Sequence, residues 1–189
     1  MLYYAAGPSR QAFKAGEHGA GQDLRQQECY TMNKIEALRR ANEIARISRE
    51  KGNTPFGAVL LSRDGELLME QGNAEKDTGD ATQHAEIALA SRASRIYSKE
   101  FLKDCTLVTT VEPCPMCTGG IYWVNIGHIV FGITERKLLE MTGSDEKNPT
   151  FNMGADKVIA AGQKKITLEG PFEEVADEIA EVHRGFWTK

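Results

Sequence analysis

From Asn33 to Gly52 the chain alternates apolar and polar residues with a helical period. Ile35, Leu38, Ala41 and Ala45 share one face, and Asn33 followed three residues later by Glu36 is close to a capping box. This predicts a first helix. Two short, mostly apolar runs follow, Phe56 to Ser62 and Leu67 to Gly72, and the Asp64-Gly65 turn signal between them predicts a hairpin. Ala81 to about Tyr97 then places Ala85, Ala88, Leu89 and Ile96 on one helical face. Thr106 to Val111 is rich in β-branched residues, Pro115 to Val124 is a helix with proline in its first turn, and His128 to Ile133 is a further strand. A short helix is expected over Glu135 to Met141, a loop over Thr142 to Gly154, and a last strand near Lys165 to Leu168. After Pro171 a final helix sets Phe172, Val175, Ile179, Val182 and Phe186 opposite Glu174, Asp177, Glu178 and Glu181. Strands alternating with helices from residue 81 onward imply crossover connections, hence an α/β fold with helices packed on a mixed sheet.

Residues 1–31 lack any sustained apolar period and read as a loosely ordered extension, leaving 32–189 as one domain. Met32, directly before the first helix start, is the expected translation start. With 41% hydrophobic and 26% charged residues the 189-residue chain has the composition of a soluble globular protein. No apolar run reaches the roughly 20 residues of a membrane span and no secretory signal opens the chain, so a cytoplasmic location is expected. The net charge of -4 and the lack of a basic cluster argue against nucleic acid as a partner and for a small molecule. Four cysteines, two of them as Cys114 and Cys117, do not resemble a disulfide framework.

The chemistry concentrates in His84-Ala85-Glu86 and Pro113-Cys114-Pro115-Met116-Cys117, each at the start of a predicted helix. Unpaired N–H groups at a helix start favour thiolate over thiol, and the thiolate is the form that ligates metal. Two cysteines separated by two residues converge on one ion, and a neutral His84 supplies a third donor, as at a zinc site. Three protein ligands leave the fourth position open, where a water becomes acidic enough to serve as nucleophile near neutral pH. Glu86, two residues beyond His84, need not bind the ion and is free to shuttle protons. Either half alone could be something plainer: a packed histidine, a redox pair, or half of a structural zinc site. Cys105 is the nearest further thiol, but its spacing is unsuitable for a fourth ligand.

H-x-E paired with P-C-x-x-C is the signature of zinc-dependent base deaminases. On these residues the chain resembles the cytidine and deoxycytidylate deaminase superfamily from about Asn33 to Ile133, with weaker similarity to the C-terminus. The resemblance implies a five-stranded mixed sheet sandwiched by helices, one Zn²⁺ per subunit, and a homodimer. Members closest in pattern are the guanine and nucleoside deaminases, with tRNA adenosine deaminases and cytosine deaminases as neighbours. It implies substrate contacts from Phe56, stacking on the base or filling the core, and from Asn73, reading the base edge or closing a turn. Ala85 and Trp123 join them, Trp123 as a pocket, core or subunit-contact residue. An acidic residue of the 142–154 loop, Asp145 or Glu146, would read an exocyclic amine. That loop departs most from the family pattern. The implied activity is hydrolytic removal of an amino group from guanine or a related purine. Alternatives are a cytosine or cytidine substrate, a tRNA adenosine, or a zinc-stabilised binding module in which Glu86 is a surface carboxylate.

Overall fold

A computed structural model describes residues 31–143 and 149–187; the 1–30 stretch, Asp145 and Glu146 lie outside the described residues. The first helix, α1 (Lys34–Glu50), starts at the expected capping box: Asn33 Oδ1 accepts from Glu36 N at 3.0 Å and Glu36 Oε2 accepts from Asn33 N at 2.9 Å. Strands β1 (Gly57–Leu61) and β2 (Leu67–Gly72) form the hairpin. Then come α2 (Glu75–Thr78), α3 (Ala85–Ile96), α4 (Lys99–Leu102), β3 (Thr106–Val111), α5 (Pro115–Val124) and β4 (His128–Ile133). The chain continues through α6 (Glu135–Thr142), α7 (Ala155–Ala161), β5 (Thr167–Glu169) and α8 (Glu173–His183).

The strands lie in the order β2-β1-β3-β4-β5. β1 is antiparallel to both β2 and β3, whereas β3, β4 and β5 run parallel. Each parallel step needs a crossover, supplied by α5 between β3 and β4 and by α6 and α7 between β4 and β5. All five residues of β1, and all of β3 after Thr106, are buried, as expected of strands covered on both faces. One face is covered by α3 and α5, burying Leu60, Leu89, Leu107 and Ile121; the other by α1 and α8, burying Leu38, Val59, Val108 and Ile179. The expected fold is therefore the observed one.

Two differences have local causes. The second predicted helix starts at Ala85, not Ala81, because Asp80 accepts from Thr82 N at 2.9 Å and from Gln83 Nε2 at 3.1 Å, holding a turn up to His84. Helices α2, α4 and α7 span too few residues to show a period. At Gly57 the α1 backbone passes so close that any Cβ would collide with the Ala41 carbonyl oxygen. Helix and strand meet there backbone to backbone.

Candidate active site

The site forms where two helices begin on the same side of the sheet. His84 is the N-cap of α3 and Cys114 the N-cap of α5, neither using its side chain as a cap, so both side chains are free for other partners. Cys117, in the first turn of α5, is fully buried. The ligand atoms of His84, Cys114 and Cys117 lie within 4.8 Å of one another, with His84 Nδ1 3.8 Å from Cys114 Sγ. Donors at about 2.0–2.3 Å from a tetrahedral ion stand about 3.5–3.8 Å apart, so these three residues fit zinc in type and in spacing. The Cys114 thiol is driven down, chiefly by a hydrogen bond from Cys117 and then by His84, against its burial. His84 is pushed up to about 10 by Cys114 first and by Glu75 next. The Cys117 thiol is instead pushed up, by its hydrogen bond to Cys114 first and then by burial, so the negative charge gathers on Cys114.

Glu86, in the first turn of α3, is 5% exposed, and its Oε1 accepts from Thr109 Oγ1 at 2.5 Å. Burial, partly countered by Thr109, raises its carboxyl above the ordinary range. The Thr109 hydroxyl also lies 3.3 Å from the Gly57 carbonyl oxygen. With Glu86 ionised, Thr109 donates to it; with Glu86 protonated, the carboxyl donates and the single Thr109 proton turns to Gly57. Both protonation states are thereby satisfied.

A cavity of about 410 Å³ opens onto His84 and Cys114, with Phe56, Glu75, Glu135 and Phe151 among its walls. A narrower recess of about 30 Å³ shares Phe56, His84, Cys114 and Glu135 and adds Glu86 and Glu112, with room for about one water. Glu135 is raised to about 8 by burial first and then by the negative charge of Cys114 and Glu86. Glu112 is tied into the scaffold, accepting from Ala155 N at 2.9 Å and Glu135 N at 3.2 Å. No lysine or arginine lines either space among the described residues.

The sequence-derived residues distribute unevenly around this centre. Phe56 lies in both walls, and its ring also meets His183 edge-on at 5.3 Å. Asn73 is buried and exchanges two hydrogen bonds with Glu75, Asn73 Nδ2 donating to Oε2 at 3.1 Å and Glu75 N donating to Oδ1 at 3.0 Å. Ala85 is fully buried in the core beneath the site. Trp123 is not brought in: it is 71% exposed, packs edge-on against Tyr122, and belongs to neither cavity wall. Its position six residues beyond Cys117 turns it roughly 240° around α5 from the ligand. Glu75, Thr109, Glu112 and Glu135 were not expected. Carboxylates on short helices and at strand ends look like surface residues, and only a periodicity argument for β3 could have pointed Thr109 inward.

Cys105 is buried on the core side, its Sγ 3.4 Å from the Phe101 carbonyl oxygen, with the thiol raised to about 11 by burial. It belongs to the core and not to the ligand cluster. Cys105→Ser is therefore expected to leave the zinc content unchanged, measured by elemental analysis of purified protein; loss of the metal would give the site a fourth protein ligand and a structural role.

The family model for the cytidine and deoxycytidylate deaminase zinc-binding region matches residues 32–133, more than half of the chain. A probable cytosine deaminase of Schizosaccharomyces pombe is 33% identical over 150 residues, covering 79% of this chain and 90% of that protein. A tRNA-specific adenosine deaminase of Streptococcus pyogenes is 34% identical over 102 residues, 54% of this chain and 61% of that one. The solved guanine deaminase of Nitrosomonas europaea superposes with a TM-score of 0.68 at 22% identity, covering 85% and 88% of the two chains, a likeness of fold. The three proteins carry three different substrates in their names.

Proposed function

Because the chain belongs to the cytidine and deoxycytidylate deaminase zinc-binding family, we propose that it removes the amino group of a small unphosphorylated heterocycle, a purine base such as guanine foremost, by zinc-dependent hydrolysis. The observation that carries this reading is the placement of buried Glu86 behind His84 and Cys114 at the end of a cavity walled by Phe56 and carboxylates, with no lysine or arginine among the described lining. A phosphate or an RNA backbone needs lysine or arginine to offset its charge, and the Glu75 carboxylate would repel it. A neutral base meets no such penalty.

His84, Cys114 and Cys117 would hold the ion, which supplies the Lewis acidity that makes a water nucleophilic near neutral pH. Glu86 takes the proton of the attacking water and passes it to the ring nitrogen next to the amino-bearing carbon. A C–O bond forms; Glu86 then takes the remaining proton of the new hydroxyl and gives it to the amine, and the C–N bond breaks, so that water and amine become carbonyl and ammonia. Thr109 keeps the carboxylate aimed through both states. Phe56 offers a ring face for stacking. Asn73 is buried outside both cavity walls and enters this reading through its two bonds to Glu75. The purine preference rests on Phe56 and cavity volume, since Trp123 stands outside. A homodimeric cytoplasmic enzyme completes the reading. Cytosine is the second candidate, favoured by the S. pombe relative.

Ammonia release by zinc-loaded protein, measured across guanine, adenine, cytosine, their nucleosides and nucleoside monophosphates, tests the reading. The expected result is the highest kcat/KM on a free base, with monophosphates at least about 100-fold lower, the scale of one or two unfavourable charge contacts at about 1.4 kcal/mol per tenfold. Activity confined to nucleotides or to a tRNA would overturn it.

A further inference from the structure

Glu75 is a carboxylate with both oxygens committed, and it stands between the metal cluster and the part of the scaffold that carries Asn73. Its Oε1 lies 3.4 Å from His84 Nε2. Its Oε2 accepts from Asn73 Nδ2 at 3.1 Å and from Thr54 Oγ1 at 3.3 Å, and its own N–H is fixed by Asn73 Oδ1. The other ring nitrogen of His84, Nδ1, faces Cys114 Sγ. A neutral imidazole has one nitrogen that donates and one that accepts, and whichever is protonated cannot ligate metal. A carboxylate beside Nε2 favours the proton there and leaves the Nδ1 lone pair on the cysteine side.

Resting on the zinc reading above, we propose that Glu75 is a positioning residue for the metal centre. It sets the tautomer and orientation of His84, links that ligand through Thr54 to the cavity wall, and through Asn73 to the end of β2. Such outer partners of a ligating histidine typically contribute about 10–100-fold in metal affinity. The arrangement is directional: Glu75 hydrogen-bonds neither cysteine, so within the ligand set its removal acts on the imidazole alone. Glutamine at this position keeps an oxygen that can accept from Nε2–H but loses the charge, whereas alanine loses both.

Zinc affinity by chelator competition, visible spectra of the Co²⁺-loaded proteins, and long-range ¹H–¹⁵N spectra of His84 in the zinc-loaded state test the proposal on wild type, Glu75→Gln and Glu75→Ala. The expected order of affinity is wild type, then E75Q, then E75A weaker by about 10–100-fold. The Co²⁺ bands of E75A should shift, and wild-type His84 should carry its proton on Nε2. Wild-type affinity and an unchanged Co²⁺ spectrum in E75A would overturn the role of Glu75 while leaving the zinc reading intact. Equal losses in E75Q and E75A with unshifted Co²⁺ bands in both would reduce Glu75 to a folding element and overturn it too. A wild-type protein that binds no zinc would overturn both readings together.

Discussion

Glu86→Gln is expected to lower kcat for ammonia release by about 10³-fold while zinc content and thermal stability stay at wild-type levels. The magnitude follows from losing a positioned proton carrier, which contributes about 10²–10⁴-fold. The preserved fold follows from shape: glutamine has the volume of glutamate, and its carbonyl can still accept from Thr109 Oγ1. Burial has raised the Glu86 carboxyl, so the side chain holds a proton more readily than an exposed glutamate and can return it to a leaving amine near neutral pH. Replacing it also removes one of the negative charges that face Cys114 and Glu135, which gives no reason for a drop in stability. Steady-state kinetics on the best substrate, beside metal analysis and a melting curve, check all three parts. Activity within tenfold of wild type would remove Glu86 from proton transfer and favour a zinc-stabilised binding module.

Losing a metal ligand should be more severe. Cys117→Ser is expected to abolish detectable turnover and bound zinc, with one ion per chain the expected content of wild type. The effect should reach stability, because the three residues tie the starts of α3 and α5 together and Cys117 is fully buried. A ligand that binds only the folded state at a thousand times its Kd stabilises by about 4.1 kcal/mol. For a chain of this length each kcal/mol moves Tm by about 2–4 °C, so stripping zinc from wild type should lower Tm by about 8–16 °C. The same chelator should leave the Tm of Cys117→Ser where it was. A chelator-dependent shift persisting in the variant would locate the stabilising metal elsewhere.

The parts of the fold that could be read in advance are those whose signal is local. β3, α5 and β4 are observed with the expected bounds, because apolar β-branched runs and a proline in the first helical turn act within a few residues. The clustering of His84, Cys114 and Cys117 was legible for a related reason: two cysteines two residues apart, and a histidine two residues before a glutamate, leave few geometries once each pair sits at a helix start. The cavity wall was not. Glu75 and Glu135 are drawn inward by tertiary packing that leaves no period in the sequence, and the family resemblance that offered Trp123 to the pocket, the core or a subunit contact does not register the helical angle that carries it to solvent. Asp145 lies outside the described residues. The last strand starts at Thr167, two residues later than the pattern suggested, since only Thr167 to Glu169 pair with β4.

The backbone contact at Gly57 ties the far side of the sheet to the chemistry. Ala41 of α1 rests against Gly57, the Gly57 carbonyl neighbours Thr109 Oγ1, and Thr109 holds Glu86. With no side chain at Gly57 to absorb a displacement, a shift of α1 passes directly to the strand and, through one hydroxyl, to the carboxylate. Selection acting on the outer helix for unrelated reasons, such as solubility or assembly, would therefore leave its mark on turnover, and a search for variants with altered rate has targets at α1 positions that no substrate ever touches.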